Sequence, residues 1–262
     1  MRHDLTGDPF RAWRKNRQRD AQGKAMFTDL NRNYGYRWGC CGGSSGKRAS
    51  TTYRGPAPWS APETRALRDF VNSRVVGGVQ QIVTHDTLHT NGKLILWPYG
   101  YTRTNVPSDL TTLDHKVFVK LGRAMADLNG YHPQQSSDLY ITDGDQIDWM
   151  YGVHRIFSYT FELFPPERGT VFKDHYPDDS KIAAQTENNR GALLLLIERA
   201  GCPYAILGDN AATKNCGPLF DDFEIVRGWK VDPDGTDTAT SGRWAVADPQ
   251  GTANRAGAKQ LG

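Results

Sequence analysis

The chain has 262 residues, of which 38% are hydrophobic and 11% aromatic, and a formal net charge of +3. That length suits one large domain, or one domain and part of another, and the composition is that of a folded globular chain. The near-neutral charge gives no electrostatic case for nucleic acid, and the longest apolar run, Ala192–Ile197 at six residues, falls far short of the ~20 that span a bilayer.

Arg2, His3 and Asp4 follow Met1 with no apolar segment behind them, so no secretory signal is visible. The chain reads either as cytoplasmic or as lacking its true N-terminus. Arg11, Arg14, Lys15, Arg17 and Arg19 form a basic segment in which Trp13 argues for partial burial. Ala25–Leu30 reads as a short strand leading into Asn31-Arg32-Asn33, followed by a loop rich in Gly and Ser from Gly42 to Ser50. Gly46-Lys47 is no phosphate loop: Cys41 stands where the first Gly is needed, and Arg48 where a Ser or Thr is needed.

Ser60-Ala61-Pro62-Glu63 predicts a helix start with Ser60 as N-cap and Glu63 closing a capping box, and Leu67, Phe70 and Val71 then give an apolar face. Strands are predicted near Gln80–Leu88 and Lys93–Trp97, on either side of His89. A second helix is predicted over Leu110–Asn129, with Leu113, Val117, Leu121 and Met125 at four-residue spacing and a stop at Asn129-Gly130. Ile156–Leu163 reads as a buried strand, rich in aromatic and β-branched residues. Glu162 closes it. A carboxylate buried there would be desolvated in its charged form and suited to general base work; one just past the apolar run would be solvated. A third helix is predicted over about Ser180–Arg199. Strands alternating with helices indicate an α/β domain around a largely buried sheet.

After Cys216 the texture changes to short strand-like runs at Phe223–Ile225, Gly228–Val231 and Arg243–Val246, which read as the opening of an all-β sandwich. Asp232–Asp237 fits either turn chemistry or a calcium loop. Four cysteines lie at Cys40, Cys41, Cys202 and Cys216, with no zinc-ribbon spacing. Two disulfides joining the first pair to the second would suit a secreted protein; four free thiols are the alternative.

Leu30-Asn31-Arg32-Asn33, Thr52-Tyr53-Arg54-Gly55-Pro56, the run His89–Tyr101, and Tyr140 followed 22 residues later by Glu162 together resemble the zinc carboxypeptidases of the carboxypeptidase A and T type. Gly39–Ser45 and Gln135–Tyr140 are most similar to secreted actinobacterial members. The resemblance covers about residues 11–202. It implies an α/β fold with a mixed central sheet flanked by helices over residues 1–218, followed at 219–262 by the beginning of an accessory β-sandwich. It also implies a secreted, monomeric parent enzyme, with neither nucleic acid nor membrane as partner, that uses zinc to hydrolyse the C-terminal bond of peptides and proteins.

Residue by residue, the resemblance makes His89 a zinc ligand through a neutral imidazole and Glu162 the general base. Arg14 becomes the residue that stabilises the oxyanion. Asn31 and Arg32 would hold the substrate carboxylate, for which a planar guanidinium is suited. Tyr140 would close over the bound terminus. Ile147 would floor the pocket for the departing side chain and favour apolar residues, although Asp143, Asp145 and Asp148 nearby leave a basic preference open. The family's other two zinc ligands come from a His-x-x-Glu motif upstream of the segment matching Trp13. None of the seven histidines here has Glu three residues on. The chain is therefore expected to be part of a larger enzyme, with a non-catalytic module that binds peptide C-termini as the alternative. Taken alone it is expected to bind zinc weakly, show little peptidase activity and be prone to aggregate.

Overall fold

The structure, a computed structural model, describes residues 15–166 and 177–216. Arg14 and the predicted sandwich segment 219–262, with its Asp232–Asp237 turn, lie outside the described residues.

In chain order, α1 (Pro62–Ser73) leads into a hairpin of β1 (Val75–Val76) and β2 (Val79–Gln80). Then come β3 (Thr84–Thr90), β4 (Leu94–Trp97), α2 (Thr112–Asn129), β5 (His132–Gln135), α3 (Ser136–Leu139), α4 (Gln146–His154), β6 (Phe157–Leu163), α5 (Ile182–Glu198) and α6 (Asp209–Cys216). The four longer strands form one sheet in the order β3-β6-β4-β5. β6 runs parallel to β3 and antiparallel to β4, and β4 runs parallel to β5, so the sheet is mixed as expected.

β6 is buried from Phe157 through Glu162 because it has a strand on each side and packing on both faces. Side chains alternate across the sheet. Phe157, Tyr159 and Phe161 join a core with Ile95, Trp97 and the α2 residues Val117, Phe118, Leu121 and Met125. Tyr159 Oη donates to the Phe118 carbonyl at 3.2 Å. Ser158, Thr160 and Glu162 therefore face the other way, and the register sets His85, Thr87 and His89 of β3 beside them on that second face.

α2 forms as predicted. Thr111 caps it by accepting from Asp114 N at 3.0 Å, and Gly130 ends it in the left-handed region at φ 69°. Four sequence expectations are corrected. Ser60 is not the N-cap of α1: Ala61 is, and the Ser60 hydroxyl is taken by Asn33 Nδ2 at 2.9 Å. Phe70 is 54% exposed, so Val71 and the partly buried Leu67 carry the packed face of α1. Ala25–Leu30 is not a strand, because Phe27 adopts φ 58° and breaks the extended backbone. The strand predicted at Gln80–Leu88 runs instead from Thr84 to Thr90, which puts His89 inside it.

The cysteines pair within each pair, Cys40 with Cys41 and Cys202 with Cys216. Cys202 opens the turn Pro203–Leu207 in the α2 layer, whereas Cys40 and Cys41 sit on the loop at the opposite face, so bonds between the two pairs do not form.

Candidate active site

The second face of the sheet supplies the floor of a cavity. Glu162 is 8% exposed, and its Oε1 lies 3.7 Å from His89 Nδ1, its cross-strand neighbour. Burial of Glu162 answers the question its position raised: it is inside the fold, not solvated past the end of the strand. Asp86, on the same strand as His89, has its carboxyl pushed up to about 7 by desolvation. Its Oδ1 has no partner among the described residues.

One wall comes from the tight turn Leu30–Arg32. Asp29 caps it by accepting from Asn31 N at 3.1 Å. Asn33 anchors the exit: its Nδ2 donates to Arg54 O, Ala57 O and Ser60 Oγ, while its Oδ1 accepts from Ala61 N and Thr64 Oγ1, all within 2.8–3.0 Å. Between these fixed ends Arg32 is 5% exposed. Its Nε donates to Gly43 O at 3.1 Å and its Nη1 to Asn31 O at 2.7 Å. No described residue bonds Nη2. A buried guanidinium tethered at Nε and Nη1 keeps one nitrogen of its planar fork unbonded, and such a fork matches the geometry of a carboxylate.

The opposite wall runs from Tyr140 to Ile147. Tyr140 is 50% exposed, and the Arg32 guanidinium lies 5.9 Å from its ring centroid. The three carboxylates along this stretch have separate jobs. Asp143 accepts from Cys41 N at 3.1 Å and Gly43 N at 2.9 Å, and also from Ser44 Oγ, so it fastens the disulfide loop to this wall. Asp148 accepts from Gly100 N and Tyr101 N. Asp145 caps α4 through Asp148 N at 2.9 Å and accepts from Thr142 Oγ1. Desolvation raises the carboxyls of both Asp145 and Asp148; the charge of Arg32 works against that rise at Asp145, and the Asp145 charge adds to it at Asp148. Two glycines allow the close approach. A Cβ on Gly43 would overlap the Thr142 backbone and lie 2.6 Å from Asp143 N, and one on Gly100 would overlap Thr142 Oγ1.

Asn31, Arg32, His89, Tyr140, Ile147 and Glu162 line a single cavity of about 330 Å³, counted out to its open mouth. Six residues singled out in the sequence thus converge, and Arg14 lies outside the described residues. No role for Leu96, Ser136, Leu139, Thr142 or Thr160 was legible in the sequence, yet all five also line the cavity. Asp145, noted only as a flanking charge, is part of the lining too, and Ile147, 3% exposed, gives it an apolar patch.

Among the described residues no three His, Cys, Asp or Glu side chains converge as a metal-binding group. His89 offers one imidazole, whereas a catalytic zinc takes three protein ligands. The described residues do not by themselves fit a zinc site.

A family model described as zinc carboxypeptidase matches residues 3–192. The chain belongs to the zinc carboxypeptidase family. It is 49% identical over 217 residues to a zinc carboxypeptidase of Saccharothrix mutabilis subsp. capreolus, a match covering 79% of this chain and 46% of that protein. It is 36% identical over 195 residues to carboxypeptidase O of Bos taurus, covering 72% of this chain and 48% of that protein. Among solved structures, thrombin activatable fibrinolysis inhibitor superposes with a TM-score of 0.62 at 25% identity, covering 75% of this chain and 46% of that one. Carboxypeptidase A from Helicoverpa armigera superposes with a TM-score of 0.60 at 27% identity, covering 73% and 46%. The chain spans about half the length of these curated relatives. The fold is the mixed α/β sheet of this zinc carboxypeptidase family.

Proposed function

We propose that the chain carries the carboxylate-binding and proton-transfer portion of a metallocarboxypeptidase that removes C-terminal residues from peptides and proteins. The observation that carries this reading is the convergence of Asn31, Arg32 and Tyr140 with Glu162 in one cavity. Arg32 Nη2 faces a ligand carboxylate, with Asn31 Nδ2 beside it, because Asn31 Oδ1 already accepts from Gln146 N at 3.0 Å. Holding the terminal carboxylate there sets the last peptide bond as the one presented to the sheet floor. Ile147 contacts the terminal side chain. Glu162 is the carboxylate that holds a proton for the departing amine.

Family membership implies Zn²⁺, to which His89 supplies one imidazole. We assign the remaining ligands to polypeptide outside the described residues. Two features support this: β3 has a neighbour on one side only among the described strands, and Leu88 on it is 56% exposed. The parent protein is read as secreted and monomeric, with 219–262 opening an accessory sandwich and Arg14 serving the oxyanion.

Calorimetric titration of the chain with a peptide ending in a free carboxylate, and with its amidated twin, tests the reading. The free acid should bind at least about 10-fold more tightly, the worth of one hydrogen bond to a charged group. Equal affinities would refute it. The lack of a converging metal group among the described residues also favours a second reading, a module that binds peptide C-termini without cutting them. Hydrolysis of the free-acid peptide by the parent protein, absent in its Glu162→Gln variant, would exclude that.

A further inference from the structure

A second histidine, His85, lies on the same face of β3 as His89 but about 13 Å away along the strand, at roughly 3.3 Å per residue. That is too far to share a ligand, and the proposed chemistry leaves it unused. Its ring is fully engaged. Nδ1 lies 2.8 Å from Ser158 Oγ, and Nε2 lies 3.0 Å from Gln146 Nε2. An amide nitrogen only donates, so His85 Nε2 accepts from Gln146, and the ring proton sits on Nδ1 and is donated to Ser158. Ser158 is fully buried on β6, the most enclosed strand of the sheet. Burial also pushes the His85 imidazole down to about 4, which keeps this neutral tautomer in place at ordinary pH.

Gln146 is the first residue of α4, and its backbone N–H is the donor to Asn31 Oδ1 at 3.0 Å. That bond decides which end of the Asn31 amide faces the cavity. If α4 shifted, Oδ1 could turn inward and repel an incoming carboxylate. A continuous path therefore runs from the sheet to the cavity lining: Ser158, His85, the Gln146 side chain, the Gln146 backbone, Asn31.

Resting on the carboxylate-binding reading above, we propose that His85 is a positioning residue. By tying Gln146 to the sheet it fixes the first turn of α4, and with it the amide orientation of Asn31 that receives the terminal carboxylate. A histidine that merely filled the core would influence stability and affect all ligands alike.

The test uses the full chain and the same pair of peptides, free acid and amide. His85→Leu should weaken the free acid by about 3- to 10-fold, the span of one ordinary hydrogen bond, and leave the amide unchanged. Gln146→Ala removes the same bond from a half-buried first helical position that tolerates alanine, and should reproduce the selective loss. In the double variant His85→Leu/Asn31→Ala the loss should be no greater than in Asn31→Ala alone, because both act through one amide. Nitrogen-15 spectra of the unliganded chain should show the His85 proton on Nδ1, whatever the peptides do. Loss of both peptides alike, multiplying losses in the double variant, an inert Gln146→Ala or a proton on Nε2 would each overturn the proposal. If the wild type itself fails to distinguish acid from amide, the carboxylate-binding reading fails instead. If it distinguishes them and His85→Leu still does so undiminished, His85 alone is ruled out.

Discussion

Replacing Arg32 by Ala tests the carboxylate site at its centre. The guanidinium is 5% exposed, lines the cavity and is tied at Nε to Gly43 O and at Nη1 to Asn31 O, which leaves Nη2 for a ligand. A hydrogen bond to a charged group contributes about 1.5–3 kcal/mol, so losing one such contact should weaken a free-acid peptide by about 10- to 150-fold. The amidated peptide, which brings no charge, should change little. There is a second effect inside the fold. The Arg32 charge opposes the rise of the Asp145 carboxyl, so removing it leaves that buried acid further towards its neutral form. Arg32→Lys keeps the charge but gives up both tethers and the planar fork, and should recover only part of the affinity. Paired calorimetric titrations measure both variants. If Arg32→Ala weakened acid and amide equally, or left the acid within about twofold of wild type, the guanidinium would not be a carboxylate receptor.

Gly43→Ala should lower the denaturation midpoint by the equivalent of about 1–3 kcal/mol, because its methyl overlaps the Thr142 backbone, and should weaken free-acid binding as Gly43 O shifts away from Arg32. Urea titrations beside peptide titrations would show both changes, and an unchanged midpoint would mean that the walls give way freely. Tyr140→Phe keeps its ring near Arg32 and should cost the free acid only about 2- to 10-fold, read by the same binding assay. Asp86 supplies a pH test. Its carboxyl is raised to about 7 from 3.8, so its contribution to stability is fully present below the unfolded value and is lost as pH rises from about 4 through about 7. At about 1.36 kcal/mol per unit, that loss is at most about 4 kcal/mol. Asp86→Asn should flatten the fall in urea midpoint between pH 5 and 8; an equal slope in both proteins would show that Asp86 does not cause it.

Long periodic elements were legible in the sequence. The four-residue spacing through Val117, Leu121 and Met125 and the apolar run of β6 needed no tertiary information, because burial on a helix stripe or on both faces of a strand writes itself into residue order. Ala25–Leu30 misled because its backbone partners are distant: Thr28 O accepts from Asn16 N and Asp29 N donates to Tyr53 O, while Phe27 turns left-handed between them. Ser60 and the cap it should have formed were overridden by Asn33, whose five hydrogen bonds outweigh one local contact. At the site, the six convergent residues were visible through motifs in a fixed order. Asp143, Asp145 and Asp148 were visible only as like charges, since their different tasks depend on which backbone amides meet them. His85 and Gln146 were invisible for the same reason: they touch across 61 positions of sequence.

The Arg32 end of the cavity, the proposed carboxylate site, is held by contacts that bypass His89. Arg32 is placed by Gly43 O and Asn31 O, Asn31 by Gln146 N and Asp29, and Gly43 by Asp143. None of these bonds involves His89 or Glu162. The pocket proposed for a terminal carboxylate is thus held on one wall, while the floor that carries His89 and Glu162 lies across the cavity. It follows that EDTA, added zinc or His89→Ala should leave the preference for free acid over amide within about twofold of its starting value, the tolerance for independent sites. Turnover in the parent protein should respond to all three. If chelation or His89→Ala instead abolished the preference, the carboxylate wall would depend on the metal for its shape, and the hydrogen bonds that link it to Asp143 and Gln146 would not be what holds it in place.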